Sequence, residues 1–501
     1  MTDNSSALDR GWRFVRAHLA AVAACSALVV IPCFWHRRIE AGDLPSHTYN
    51  AWLAQLIEQG KAPGLYTAHQ WTNVLFDFLL LYSAKVFGLA TGPKIAVAIC
   101  VLAFFWGVFS FITAASVFAP WVLSPLIAML AYGYTFNMGF FNYYLSVGLA
   151  CFALALFWPA GKWTWRAVSK LDLMVGGILL LLAMQAHPIG PLWCLATLAY
   201  MAIRRSLPRP WYRLVPVAAV TFFIAGHVYF SYFTTLEVSW PDKPFYVFNG
   251  ADQLVTYSVL YRYVSVAVVL TLGSLAVWSF YRRRERAVHG RLLQLAELYT
   301  VSFCVIALLP QDVRMGIYAA WAGLLVSRLT LLSAILALTA VSCLKPAKIV
   351  CASGILCAVV FFALLYRDTQ VINGLEVHAE RLIASFPKGT RLVPTLEARP
   401  DSRIPFVGHV LDRACIGRCF TFSNYEPSSR QFRVRAAAGN DFATASAGDS
   451  GEMESGNYVV KADDPPLVDI YQCSDTDFTI LCARKLAVGE KTGQSPVEPD
   501  N

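Results

Sequence analysis

Residues 95–115 form an apolar stretch without a single charged side chain, and a helix of this length crosses the hydrocarbon core of a bilayer. Charged residues make up only 15% of the chain, whereas about a quarter is usual in soluble proteins. Comparable stretches lie at 17–35, 121–137, 141–158, 171–187, 189–203, 214–232, 263–280, 292–310, 329–343 and 348–366. The sequence therefore predicts an all-α polytopic membrane protein with about eleven transmembrane helices, and it argues against soluble and nucleic-acid-binding proteins.

The charge changes sign near residue 366. Residues 1–366 contain 26 Lys and Arg against 13 Asp and Glu, whereas residues 367–501 contain 15 against 19. A basic excess near short loops is typical of membrane domains. We expect a transmembrane domain at 1–366, an extracytoplasmic α/β domain at 367–488 and a disordered tail at 489–501. Strands of the α/β domain are predicted at 390–396, 432–436, 458–461, 468–472 and 478–483.

The segment 72–88 decides the topology, because it is apolar enough to cross a membrane but contains Asp77 and Lys85. The first span follows three arginines between residues 10 and 16, which favour a cytoplasmic N-terminus. If 72–88 crossed the bilayer, fourteen basic residues of later loops would face outward, against the positive-inside rule. We therefore expect 72–88 to lie flat at the interface within a first outer loop at 36–94. The C-terminal domain then lies outside the cell's inner (plasma) membrane.

Four cysteines lie outside the apolar segments, at Cys415, Cys419, Cys473 and Cys482. An even number of cysteines in a domain assigned to an oxidising compartment favours two disulfides, with three pairings open. The alternative is a zinc site, because three residues between Cys415 and Cys419 is an acceptable ligand spacing. We favour the disulfides.

Asp43 and His47 form the most informative polar pair, just after the first span. They are four residues apart around Pro45, so a helix that begins there would stack them on its first turn. The pair could act as a catalytic base with its orienting partner, or as two ligands of a divalent metal ion. The alternative is structural, with Asp43 as a helix cap and His47 as an interfacial side chain.

Four further residues near predicted outer helix ends are candidates for substrate binding: His187, Asp312, Arg314 and Arg328. An arginine without a counter-charge near the bilayer favours binding of an anion, and a lipid phosphate is the anion available there. For Arg314 the competing interpretation is a salt bridge to Asp312. For His187 it is a hydrogen bond to a neighbouring helix.

This arrangement resembles the GT-C glycosyltransferases, the polyprenyl-phosphate-sugar-dependent enzymes that include protein O-mannosyltransferases and the lipid A aminoarabinose transferase. The resemblance covers the membrane domain: a cytoplasmic N-terminus, an acid just after the first span, a flat helix and a soluble outer domain. It implies that Asp43 binds or activates the acceptor, and that Arg314 or Arg328 binds the lipid-linked phosphate. The family often pairs two acids, whereas here Glu40 lies three residues before Asp43 and the partner is His47.

The resemblance implies inverting transfer of a sugar from a polyprenyl-phosphate donor in the lipid bilayer to a hydroxyl of a glycan, lipid or protein acceptor. Two other functions remain open. A noncatalytic protein that assembles envelope or polysaccharide machinery would share the topology without requiring Asp43. A transporter would carry ionisable residues at mid-membrane and duplicated halves, and the sequence shows neither pattern.

Overall fold

The computed structural model describes residues 6–493 except 117–119, 159–167, 209, 236, 241–248, 282–285, 315–320, 345–347, 398 and 475–476. The N-terminal half contains helices α1 to α9 at Ala7–Ala17, Leu19–Val30, Leu44–Glu58, Leu75–Ala115, Ser124–Ala131, Tyr134–Asn137, Phe141–Phe157, Lys170–Ala186 and Ile189–Ser206. Helices α10 to α17 follow at Leu214–Tyr232, Leu260–Tyr281, Arg286–Ala307, Leu325–Val341, Lys348–Ala384, Val410–Cys415, Tyr425–Ser429 and Ala447–Glu454.

Nine short strands form three sheets. Strands β1 to β9 lie at Leu65–Thr67, Val238–Ser239, Asp312–Arg314, Trp321–Ala322, Thr390–Thr395, Cys419–Thr421, Val434–Ala436, Leu467–Gln472 and Leu481–Lys485 in the described chain. Their orders are β1-β7, β2-β3-β4 and β6-β5-β8-β9. In the largest sheet β5 is parallel to β6 and β8, and β9 is antiparallel to β8.

Five of the described helical segments are long and apolar enough to cross a membrane: Leu75–Ala115, Trp211–Tyr232, Leu260–Ser279, Gly290–Ala307 and Val350–Ala384. Helices α1 and α2 add a sixth if they form one span, although they meet at an angle of 86°. The protein is therefore mostly helical, with several helices that could span a membrane, but the predicted count of about eleven spans is not confirmed.

The predicted span 121–137 is broken in the middle. Helix α5 ends at Ala131 and the short α6 begins at Tyr134, on either side of Gly133. A Cβ atom at Gly133 would lie only 2.5 Å from the carbonyl oxygen of Gln253, so a neighbouring polar turn approaches the backbone at this point. Because glycine has no side chain, it permits this close contact, and the helix is interrupted at this position.

Helix α4 is broken at Gly88, whose φ of 77° is outside the helical region. The chain folds back tightly there, because a Cβ atom at Gly92 would lie 2.6 Å from the Cα atom of Ala84. The segment before the break is thus a helix distinct from the long span that follows. Its flat orientation at the interface stays a prediction.

The C-terminal domain has the predicted mixture of helix and strand. Strands β5, β7, β8 and β9 fall within or beside predicted ones, while the predicted strand 458–461 contains only a bridge between Val459 and Lys491. Both disulfides are present, as Cys415–Cys419 and Cys473–Cys482. Of the predicted disordered tail, residues 489–493 pack beside this bridge, since Thr492 N donates to Tyr458 O at 2.9 Å, and 494–501 lie outside the described residues.

The C-terminal domain packs against the first outer loop. Strand β1 of that loop pairs with β7 of the domain. Arg413 of α15 is buried, with Nη2 3.0 Å from Glu40 Oε2 and 2.6 Å from Glu376 Oε1. Arg38 Nη1 lies 2.5 Å from Glu376 Oε2. Buried charges require such close partners, so this network fixes how the domain docks.

Candidate functional site

Asp43 lies where the first outer loop packs against the junction after α6. Gly42 N donates to Asn137 O at 2.7 Å, and Asp43 N donates to Met138 O at 3.0 Å. Gly139, with a φ of 84°, lets the chains meet, because a Cβ atom there would lie 2.5 Å from Asp43 N. The Asp43 carboxylate forms no hydrogen bond to the start of α3. The capping role considered for Asp43 is therefore not observed.

His47 lies on the first turn of α3 and is buried. Its Nδ1 is 3.0 Å from Asp77 Oδ1 and 3.6 Å from Glu426 Oε1. Burial lowers the pKa of His47, but the attraction of Asp77, Glu426 and Asp43 outweighs it and raises the pKa to about 9. At neutral pH the ring is an imidazolium, paired with Asp77 and Glu426 rather than with Asp43.

Asp77 also lies in this cluster. In the sequence it bears only on whether 72–88 crosses the membrane, and it is not among the predicted site residues. Asn142 Nδ2 donates to Asp77 Oδ2 at 3.1 Å, and Asn142 Oδ1 accepts from Phe76 N at 2.8 Å. The carboxylate is thereby held toward His47. The signal that could have identified it was an acid near the start of an otherwise apolar helix.

The C-terminal domain contributes Glu426, from α16, to the same cluster. Ser46 Oγ donates to Glu426 Oε1 at 3.0 Å. Burial raises the pKa of Glu426 to about 7, although the attraction of His47 acts in the opposite direction. The carboxyl group therefore exchanges its proton near neutral pH.

His409, just before α15, is the second contribution of that domain. Its Nδ1 lies 3.2 Å from Asp412 Oδ2, and its Nε2 lies 3.9 Å from Asp43 Oδ1. The ring packs against Tyr425 with centroids 5.1 Å apart. No sequence pattern linked His409 to Asp43, because the two residues meet only through the docking of the domain.

Arg328 lies on the first turn of α13, next to Tyr134 and Phe140. Its guanidinium carbon is 4.2 Å from the centre of the Phe140 ring. Its Nε is buried without a hydrogen-bond partner, and none of the described acids lies within 4.0 Å of the guanidinium. Among surrounding groups Asp43 attracts it most strongly. Arg328 is therefore a cation that lacks a direct counter-ion, close to the acid predicted to act with it.

His187 lies behind Arg328. Its Nδ1 accepts from Ile189 N at 3.3 Å, and its ring packs on Tyr143 with centroids 5.5 Å apart. Tyr143 Oη in turn donates to Arg328 O at 2.8 Å. This placement agrees with the structural alternative for His187, which supports the helix that presents Arg328.

Arg314 and Asp312 lie in the small β2-β3-β4 sheet, and neither contacts Arg328 directly. Arg314 is exposed and pairs with Glu237 at 3.0 Å, not with Asp312. Asp312 Oδ1 accepts from Leu324 N at 2.8 Å. Leu324 precedes α13 with a φ of 58°, so Asp312 fixes the start of the helix that contains Arg328.

A small pocket lies between α3, the first part of α4 and the C-terminal domain. Its polar and aromatic lining includes His47, Asn50, Asp77, Glu426, Phe432 and Arg433. Within the described part of the chain, no group of three or more His, Cys, Asp or Glu residues is placed to hold a metal ion. Asp43 and His47, the pair that could bind a divalent metal ion, therefore have no third ligand among the described residues.

Comparisons with protein-family models, curated proteins and solved structures give no match to this chain. The function must therefore be inferred from the site itself.

Proposed function

We propose that the chain is a membrane glycosyltransferase of the GT-C type. It transfers a sugar from a polyprenyl-phosphate donor to a hydroxyl group of a glycan, lipid or protein acceptor at the extracytoplasmic face. The observation that carries the proposal is a buried Arg328 that has no counter-ion within 4.0 Å among the described residues and is attracted most by Asp43, whose side chain is 24% exposed. An anion site beside an accessible base is what transfer from a phosphate-linked donor requires.

Arg328 would bind the phosphate of the donor. A guanidinium group can form two parallel hydrogen bonds to phosphate oxygens, and this interaction is stronger where water is excluded. The ring of Phe140 covers one face of the group, which leaves the edge to hydrogen-bond the anion. The apolar helices around the site supply an environment for the polyprenyl chain, so no nucleotide-binding loop is needed.

Asp43 would act as the base. As the acceptor oxygen attacks the anomeric carbon, its proton passes to the Asp43 carboxylate and the bond between that carbon and the donor phosphate breaks. The phosphate leaves with the electron pair, and Arg328 stabilises the charge that grows on it. Attack from the side opposite the leaving group inverts the anomeric configuration.

His47 would organise the acceptor side. As an imidazolium it neutralises Asp77 and Glu426, which line the pocket beside it. Asp43, which does not pair with His47, is the carboxylate that would take the proton of the acceptor. The N-terminus would lie in the cytoplasm and the C-terminal domain outside the inner membrane, so that donor, acceptor and site share one compartment.

The test is a donor-consumption assay with the full chain in liposomes. Polyprenyl-monophosphate sugars of several hexose and aminopentose types are supplied with a membrane extract as acceptor, and released polyprenyl monophosphate is measured. The proposal predicts release with at least one sugar and a product of inverted configuration. Absence of release with every sugar tested, from protein that keeps its thermal unfolding transition, would overturn it and favour the assembly function.

A further inference from the structure

The ring of His409 lies between two carboxylates that come from different domains. Asp412, on the same short helix α15, is buried and lies 3.2 Å from Nδ1. Asp43, in the membrane domain, lies 3.9 Å from Nε2. The second distance is longer than a hydrogen bond, so the contact is an ion pair. His409 therefore links the soluble domain to the proposed base.

We propose that His409 is a positioning residue for Asp43. Its imidazolium holds the Asp43 carboxylate in position, and Asp412 fixes the ring that does so. This inference rests on the proposed function, because it assigns a role in the same site. It makes the C-terminal domain a component of the reaction centre, so the membrane domain alone is incomplete.

The surroundings of the ring support a stable charge on it. The charged and titratable groups that face His409 come from four elements: Asp43 before α3, Asp412 on α15, Tyr425 and Glu426 on α16, and Glu454 on α17. Burial lowers the pKa of His409, but the hydrogen bond and charge of Asp412, helped by Asp43 and Glu454, raise it to about 9. The imidazolium is thus the form present at neutral pH.

The local chain is built to hold this ring. Helix α15 has only six residues, less than two turns, and its end at Cys415 is tied to Cys419 by a disulfide. Arg413 on the same helix is fixed by Glu40 and Glu376. Both constraints act within a few residues of His409. A small shift of the C-terminal domain against the membrane domain would therefore move the His409 ring relative to Asp43.

The first experiment measures steady-state sugar transfer by the full chain with His409→Gln. We expect kcat to fall by about 10²-fold, the effect of a misplaced reacting group, while the KM for the lipid-linked donor stays unchanged because Arg328 is intact. His378→Gln is the matched control. That histidine is exposed on α14, and its Nδ1 lies 3.1 Å from Thr479 O, away from Asp43, so both constants should equal those of the wild type.

The second experiment is independent of turnover. Protein labelled with [13C]histidine is titrated in detergent by NMR, and the His409 resonance is assigned by its absence in His409→Gln. We expect the resonance to titrate near pH 9 in the wild type and at a lower pH in Asp43→Asn, because one of the attracting charges is gone.

The two experiments separate the two proposals. An unchanged His409 titration in Asp43→Asn, or an unchanged kcat in His409→Gln, would overturn the positioning role. If the titration shifts but the wild type transfers no sugar, the proposed reaction fails while the contact between His409 and Asp43 stands.

Discussion

Ser46 Oγ donates a hydrogen bond to Glu426 Oε1 at 3.0 Å, although the two residues are 380 positions apart in the chain. The bond joins the first helix after the N-terminal span to the soluble C-terminal domain. The strand pair of Leu65–Thr67 with Val434–Ala436 joins the same two parts nearby. The loop at 36–94 and the C-terminal domain therefore contact each other, and residues of both form the candidate site.

Arg328→Gln tests the anion site. We expect kcat/KM for the lipid-linked sugar donor to fall by about 10²- to 10³-fold. This is the usual effect of losing one hydrogen-bonding group that stabilises charge in the transition state. Thermal unfolding should not occur at a lower temperature, since the substitution removes a cation without a direct counter-ion. The measurement is initial rate against donor concentration, with a melting curve of the same sample.

Arg314→Gln is the matched control for that measurement, because Arg314 is exposed and pairs with Glu237 outside the site. It should behave as the wild type. Equal losses in the two variants would mean that general surface charge, rather than a specific phosphate site at Arg328, governs donor binding.

Arg413→Met tests the docking of the C-terminal domain. The substitution leaves Glu40 and Glu376 buried without this partner, which typically costs about 3–5 kcal/mol. We expect earlier thermal unfolding and faster proteolysis within the C-terminal domain. Arg418→Met, which alters an exposed arginine bonded to Ala384 O, should change neither. Identical melting curves for the two variants would contradict a docking role for the buried network.

The stability of the docked site should fall as the pH rises. The pKa of His47 is raised from 6.5 to about 9, so its contribution is fully present below pH 6.5 and is lost through pH 9. Glu426, whose pKa is raised to about 7 by burial, acts in the same direction at lower pH. Free energies of unfolding measured from pH 6 to pH 10 should show this decline, on the order of 1–3 kcal/mol for His47. His47→Gln should make the decline smaller, and the remainder belongs mainly to His409, whose pKa is also raised to about 9. A decline of the same size in His47→Gln would assign it to other groups.

The sequence predicts those site residues that have a local signal. Asp43 directly precedes a helix with proline in its first turn, and Arg328 is a charge beside apolar residues, so both are recognisable without a structure. Glu426 and His409 have no such signal, because they enter the site through contacts with residues more than 350 positions away. Asp77 is an acid in an apolar segment, and the sequence explains it equally well as part of a flat interfacial helix. Its contacts with Asn142 and His47 are needed to show that it also belongs to the candidate site.

The fold shows the same division between local and long-range information. The apolar stretches and the break near residue 88 follow from composition and glycine, and the four cysteines form the expected two disulfides. The interruption of 121–137 at Gly133 depends on the approach of Gln253, which is 120 residues away. Hydrophobicity alone cannot indicate such a contact, and it therefore overestimates the number of continuous helices.

The sidedness of the basic loops follows from the flat orientation of 72–88. In a background without the unpaired cysteines, Ser206→Cys should react with a membrane-impermeant maleimide only after permeabilisation, because it neighbours Arg204 and Arg205. Val488→Cys, which is 67% exposed in the C-terminal domain, is the positive control and should react in intact cells. Labelling of Ser206→Cys in intact cells and of Val488→Cys only after permeabilisation would mean that 72–88 crosses the bilayer.

The central claim is that Asp43 is the base of a sugar transfer, and the most direct measurement is the kcat of Asp43→Asn at saturating donor. The amide keeps the shape of the side chain, and no cap bond is lost, so the protein should stay folded, with only the stability lost that the attraction to His409 supplied. We predict a kcat reduced by about 10²- to 10⁴-fold, the usual effect of removing a general base. A kcat equal to that of the wild type would contradict the account.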